Sequence, residues 1–193
     1  RIHHTFHRCI SIHGVHHLRV LDNVCYLNKA HSIFVEDAVE RKNVIQGNIV
    51  IGTRPCFSCL NSDMTPASYW LVNPDNYIER NIAAGSTHYG FWFFPEPKVR
   101  GASEFEPGVE HICPQGTPLW HFADNEGHNM GRYGLRIFTG REPTPQAGRP
   151  GVRDALQSPP AKLIGSSKSV SGTVCGQHRN SSKESEFAGV KRC

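Results

Sequence analysis

Three polar side chains in the first forty residues are of types that could carry out acid–base chemistry together. His13 precedes Glu36 by 23 residues, a spacing that also separates apolar segments of the chain, and Asp37 follows directly. An imidazole beside two carboxylates could protonate a leaving oxygen and take up a proton elsewhere. The two carboxylates could equally bind Ca²⁺, which prefers oxygen ligands. A third interpretation is that both acids cap a turn and pair with Arg41 or Lys42.

A second set of side chains is aromatic and could bind a ligand by stacking. Phe34, Trp70 and Trp92 each occupy the middle of a short apolar segment, and Arg136 occupies the same position in a later one. With alternating side-chain directions, all four are expected to point outward in one column, about 4.8 Å apart. Such a stripe could bind the apolar faces of sugar rings. Alternatively, a neighbouring loop or domain covers the stripe, and residues 95–118 are close enough to do so.

The cysteines indicate an oxidising compartment and no complete zinc site. Cys56 and Cys59 have the spacing of a zinc half-site or a redox motif, but no second pair with that spacing follows. We therefore expect a disulfide between two insertions in the strand pattern, residues 52–66 and 95–118, joining Cys113 to Cys56 or Cys59. Seven histidines crowd the first 31 residues without a convergent pattern. No metal site is predicted, and Ca²⁺ binding at Glu36 and Asp37 is left open.

The charge distribution excludes one class of partner. Residues 1–138 carry 12 Lys and Arg against 13 Asp and Glu, whereas residues 139–193 carry 9 against 4. The first region thus lacks the basic surface that nucleic-acid binding requires. No apolar segment approaches the roughly 20 residues of a membrane helix, so any contact with a membrane is expected only through segments missing from this chain.

The elements that must position these residues are short β-strands. Apolar runs of three to five residues, rich in β-branched and aromatic side chains, recur through residues 1–138 and are bounded by Asn, Gly or Asp. Asn23, Asn48, Asn81 and Asn125 each follow an apolar residue three positions earlier. This repeat predicts one right-handed parallel β-helix of four to five coils, with asparagine in left-handed turns.

Residues 139–193 have a different composition. They contain 20 Gly, Pro and Ser among 55 residues and one aromatic residue, Phe187. We expect a disordered tail, or an artefact of gene prediction, because such a segment buries too little apolar surface to offset its ordering entropy. The segment also holds a glycosylation sequon at Asn180.

Several motifs in residues 1–138 resemble one family. They include Asn43-Val-Ile-Gln-Gly-Asn48 and Ala67-Ser-Tyr-Trp-Leu-Val-Asn-Pro-Asp-Asn76. The other motifs are residues 1–14, 34–40, 81–86 and 118–138. The family comprises the cell-surface hyaluronidase, the cell migration-inducing hyaluronan-binding protein and fibrocystin-L.

The resemblance implies a pectin-lyase-like β-helix in an extracellular or cell-surface protein, secreted or membrane-anchored and larger than this chain. It further implies binding of hyaluronan or a related glycan, with depolymerisation in some members. His13, Glu36 and Asp37 are then the candidates for cleaving a glycosidic bond, which needs an acid and a base on either side. Two alternatives stand beside this: a non-catalytic, receptor-like ectodomain segment, and a truncated gene product without activity of its own.

Overall fold

The structure, a computed structural model, describes residues 1–137 of the 193. Phe138, the predicted tail 139–193 and the sequon at Asn180 lie outside these described residues.

The described region contains fourteen short strands. Their bounds are β1 Ile2–His3, β2 Ile10–Ile12, β3 Arg19–Leu21, β4 Val24–Tyr26, β5 Ile33–Val35, β6 Val44–Gln46, β7 Ile49–Ile51, β8 Ala67–Leu71, β9 Tyr77–Glu79, β10 Ile82–Ala84, β11 Tyr89–Phe93, β12 His121–Ala123, β13 Glu126–His128 and β14 Tyr133–Ile137.

The strands form three parallel sheets that share one core. The first sheet has the order β2-β5-β8-β11-β14, the second β3-β6-β9-β12 and the third β1-β4-β7-β10-β13. The chain visits the three sheets in turn, so each three strands complete one coil, and β14 begins a fifth. The predicted parallel β-helix of four to five coils is confirmed.

The register of the first sheet places like residues above one another. Ile12 pairs with Val35, Val35 with Leu71 and Leu71 with Phe93, and all four side chains are buried in the shared core. Alternation along each strand turns the neighbouring residue to the outer side. The strand pattern of the sequence therefore predicts the two faces correctly.

The four asparagines form a ladder that joins successive coils. Asn48 donates to the backbone oxygen of Val20 at 2.8 Å and accepts from the backbone N–H of Asn23 at 3.0 Å. Asn81 and Asn125 repeat the pattern. The left-handed residue is the one before each asparagine, such as Asp22 and Gly47, so the prediction that asparagine itself adopts that conformation is wrong.

Two insertions interrupt the coils and form short 3₁₀ turns. Residues 52–66 contain the turn Asn61–Met64, and residues 95–118 contain Gly101–Phe105, Val109–His111 and Pro114–Gly116. Within residues 1–137, no helix is long and apolar enough to cross a membrane.

Candidate functional site

The three predicted acid–base residues meet at the turn that follows β2 and β5. Because Ile12 pairs with Val35, the next residues, His13 and Glu36, leave adjacent strands side by side. His13 Nε2 lies 3.4 Å from Glu36 Oε2, and His13 Nδ1 lies 3.2 Å from Asp37 Oδ1. The imidazole therefore sits between two carboxylates. The alternative prediction that Glu36 or Asp37 pairs with Lys42 is wrong, because the Lys42 ammonium lies 2.6 Å from Asp75 instead.

Asp37 is the fixed member of this acidic corner, which we define as His13, Glu36 and Asp37. Its side chain is buried, and Ser103 Oγ donates to Asp37 Oδ2 at 2.8 Å. The backbone N–H of Arg100 donates to the Asp37 carbonyl at 2.9 Å. The 95–118 insertion thus folds over the corner and holds Asp37 against His13. Asp37 can orient the imidazole but lies too deep to meet a polymer.

Glu36 and Glu40 are the two acids of this region whose proton affinity is raised. Burial raises the pKa of Glu36, against the opposing effect of the His13 and Arg8 charges. Burial likewise raises the pKa of Glu40, whose Oε1 accepts from the backbone N–H groups of Gly14 and Asp37 at 3.0 and 3.1 Å. Glu40 is buried below the turn, whereas the side chains of Glu36 and His13 are 33% and 45% exposed. Only the latter two can meet a ligand.

The geometry permits two kinds of chemistry. With Asp37 holding Nδ1–H, His13 Nε2 would be free to accept a proton, and a protonated Glu36 could donate one. The three ligand atoms also lie within 4.8 Å of one another, close enough to share one cation. One imidazole and two carboxylates suit a transition-metal ion better than Ca²⁺, which usually takes six to eight oxygens.

A second three-donor group, His7, Cys59 and Asp63, does not make a metal site. Cys59 is disulfide-bonded to Cys56, so no thiolate is available, and Asp63 is occupied by Arg8. The predicted disulfide from Cys113 to Cys56 or Cys59 is therefore wrong; Cys113 is itself disulfide-bonded, but not to that pair. A further disulfide, Cys9–Cys25, joins the residue before β2 to the middle of β4 and was not predicted.

The predicted aromatic column forms with the expected register. Phe34 pairs with Trp70, Trp70 with Trp92 and Trp92 with Arg136. The column is buried, however: Phe34 is 1%, Trp70 7% and Trp92 5% exposed. Of the two interpretations of the sequence, covered packing describes it, and an open wall for sugar rings is wrong.

The side chains of Arg8, His31 and Arg136 pack over the column. The guanidinium carbon of Arg8 lies 3.3 Å from the centroid of the Phe34 ring, and His31 packs against Phe34 and Trp70 with centroids 5.5 and 4.3 Å apart. At the other end, the guanidinium of Arg136 lies 4.0 Å from the Trp92 ring and also contacts Tyr89. The predicted glycan-binding arginine is thus packed on aromatic rings.

With the coils and the acidic corner defined, the chain can be compared with known proteins. Residues 1–135 match the family model described as CEMIP beta-helix. The chain belongs to the CEMIP beta-helix family.

Fibrocystin-L and a hyaluronan-binding protein are among the named relatives of this CEMIP beta-helix chain. Mouse fibrocystin-L is 41% identical over 137 residues, and human fibrocystin-L 38%. The human cell migration-inducing and hyaluronan-binding protein is 32% identical over 170 residues. These matches cover 71–74% of the chain but only 3% of each fibrocystin-L and 12% of the hyaluronan-binding protein. The chain therefore spans a small part of each relative's length.

Other residues of the CEMIP beta-helix chain around the site could not be found from sequence. Arg8 donates to both carboxylate oxygens of Asp63, at 2.7 and 3.1 Å, across 55 residues. Ser103 reaches Asp37 across 66 residues. Neither contact leaves a periodic signal, because one partner of each lies in an insertion.

Proposed function

We propose that this chain is a glycan-binding β-helix segment of an extracellular protein, with hyaluronan as the glycan. The observation that supports this most is the family match over residues 1–135, since one relative is named for binding hyaluronan. Two disulfides within the described residues favour an oxidising, extracellular setting. A related protein is named a cell surface hyaluronidase.

The binding proposal can be tested by retention on immobilised high-molecular-weight hyaluronan. The secreted chain is expected to be retained and to be released by free hyaluronan, but not by an equal mass of the neutral polymer dextran. Heat-denatured chain on the same resin controls for non-specific adsorption. Passage of the folded chain without retention would contradict the proposal.

Cleavage of the glycan is a second candidate, and the acidic corner is what favours it. His13 Nε2 faces a partly exposed Glu36 whose pKa is raised by burial, the arrangement expected of a proton donor beside a base. Asp37 would act as a positioning residue through His13. The expected product is hyaluronan of lower mass.

Replacing Glu36→Gln tests this candidate, with Glu110→Gln as the matched control. Glu110 also lies 3.4 Å from a histidine, His111, but on an exposed turn of the insertion. If the corner cleaves, Glu36→Gln should slow the fall in hyaluronan mass by at least about a hundredfold, the size of one lost acid–base group. Unchanged hyaluronan with the wild-type chain would favour the other alternative, a recognition or spacer segment, which the fibrocystin-L likeness supports.

A further inference from the structure

The outer face of the second sheet carries a group of aromatic residues that, unlike the aromatic column of Phe34, Trp70 and Trp92, is open to solvent. We define the Trp120 surface as Lys42, Tyr77, Trp120 and His121. Trp120 is 45% exposed, whereas the two other tryptophans of the chain are 7% and 5% exposed. Tyr77 and His121 occupy paired outward positions of β9 and β12.

The four side chains contact one another directly. The Tyr77 and His121 rings stack with centroids 4.0 Å apart and planes within 8°, and the Trp120 ring stands edge-on to Tyr77 at 5.7 Å. The ammonium of Lys42 lies 4.5 Å from the Trp120 centroid. These contacts restrict the rotamers before any ligand arrives, which lowers the entropy cost of binding.

The backbone holds the surface on the rigid part of the coil. The N–H of Trp120 donates to the Pro74 carbonyl at 3.1 Å, and the N–H of Lys42 donates to the Asp75 carbonyl at 2.7 Å. Lys42 Nζ also meets Asp75 Oδ1. An ammonium has three donors, so this ion pair aims the group without exhausting it.

A row of outward positions continues the surface along the solenoid axis. Arg19, Val44, Tyr77 and His121 are aligned by the pairing of β3, β6, β9 and β12. Four strands at about 4.8 Å spacing give a row roughly 14 Å long. A linear polymer lying along the axis would contact several of these residues at once.

The charges around this row suit an acidic polymer with an apolar face. Lys42, Arg19 and Arg80 are exposed. The nearby acids are Asp75, Glu79 and Asp124; Asp75 is paired with Lys42, and Glu79 accepts from Gln46 Nε2 and lies 3.4 and 3.5 Å from Arg80 and His121. Arg19 has no ion-pair partner among the described residues and can meet an anion, Lys42 keeps ammonium donors beyond its pair with Asp75, and Trp120 offers an apolar ring.

We propose that the Trp120 surface binds a uronic-acid-containing segment of a polysaccharide, with a sugar ring against Trp120 and its carboxylate on Lys42. This inference rests on the proposed glycan-binding function and names the contact residues for it. The competing occupant is another protein domain, which would leave the surface indifferent to free glycan.

The three tryptophans allow the surface to be tested by NMR. Each indole N–H gives its own peak in a ¹⁵N-labelled chain, and single Trp→Phe variants assign the three peaks. On addition of hyaluronan oligosaccharides, the Trp120 indole peak is expected to shift while those of Trp70 and Trp92 stay in place. The opposite pattern, a shift of the buried indoles alone, would overturn the proposal.

Two variants and two matched controls complete the experiment. Trp120→Ala and Lys42→Ala should each weaken binding on the order of tenfold, the scale of one aromatic or cation contact. Phe105→Ala removes an aromatic ring that is 87% exposed elsewhere, and Lys98→Ala removes a lysine likewise paired with a glutamate, Glu104; both should bind as wild type.

The proposed binding of hyaluronan and the assignment of that binding to the Trp120 surface can be disproved separately. If wild type binds hyaluronan and both surface variants bind equally well, the Trp120 surface is not the contact and the proposed function stands. If wild type binds no hyaluronan, the proposed function fails and the surface assignment fails with it.

Discussion

The guanidinium carbon of Arg8 lies over Phe34, 3.3 Å from the ring centroid, while both of its terminal nitrogens donate to the Asp63 carboxylate. One buried ion pair therefore covers the Phe34 end of the aromatic column that a strand pattern alone places on the outside. Removing one member of a buried pair leaves the other charge without compensation.

Asp63→Asn should lower the free energy of unfolding by about 3–5 kcal/mol, because Arg8 stays buried without its anion. Urea denaturation measures the change. Glu104→Gln breaks an exposed pair with Lys98 and serves as the control, with an expected loss of about 1 kcal/mol or less. Equal losses in the two variants would contradict a stabilising role for the Arg8–Asp63 pair.

Trp92→Ala should destabilise the fold by about 3–5 kcal/mol, since its ring is buried between Trp70 and Tyr89. Trp120→Ala, at an exposed site, should cost about 1 kcal/mol or less. Thermal denaturation of both variants checks the contrast. A Trp92→Ala chain as stable as wild type would mean that the aromatic column is not packed.

Asn48→Ala should cost about 2–4 kcal/mol. The substitution leaves the Val20 carbonyl and the Asn23 N–H without their partners inside the coil. Asn23→Ala, at the partly exposed end of the ladder, should cost less. Urea denaturation of the two variants compares them, and a larger loss at Asn23 would argue against a ladder that is strongest in its buried centre.

His31 should make stability depend on pH. Burial lowers its pKa to about 3 in the folded chain, and its Nδ1 accepts from the Ala67 N–H at 2.9 Å. The unfolded chain takes up this proton near pH 6.5, so stability contributed by neutral His31 is complete above that pH. It falls as pH drops from 6.5 towards 3, by about 2 kcal/mol between pH 7 and 5.

The variant His31→Asn keeps an acceptor for Ala67 and removes the titration. Its free energy of unfolding should fall less than that of wild type between pH 7 and 5, whatever its absolute stability. His111→Asn, at an exposed turn, should keep the wild-type slope. A His31→Asn slope equal to that of wild type would contradict the assignment.

Much of the architecture could be predicted from the sequence because its signals are local. The alternating side-chain directions of Ile33, Phe34 and Val35 distinguish the two faces of a strand. The spacing between Asn23 and Asn48 gives the length of one coil. The meeting of His13 with Glu36 and Asp37 follows from the same register. Each of these inferences needs only the strand period and the coil length.

The accessibility of each side chain was decided by the tertiary structure alone. Phe34, within β5, and Trp120, just before β12, are both aromatic, yet Phe34 lies under Arg8 and Trp120 faces solvent. The difference depends on Asp63 and the insertion that carries it, whose docking has no period and leaves no repeat. The strand pattern determines which way each side chain points, because side chains alternate along a strand. Whether a side chain is covered depends on contacts between segments far apart in the sequence, and only the folded chain brings these segments together.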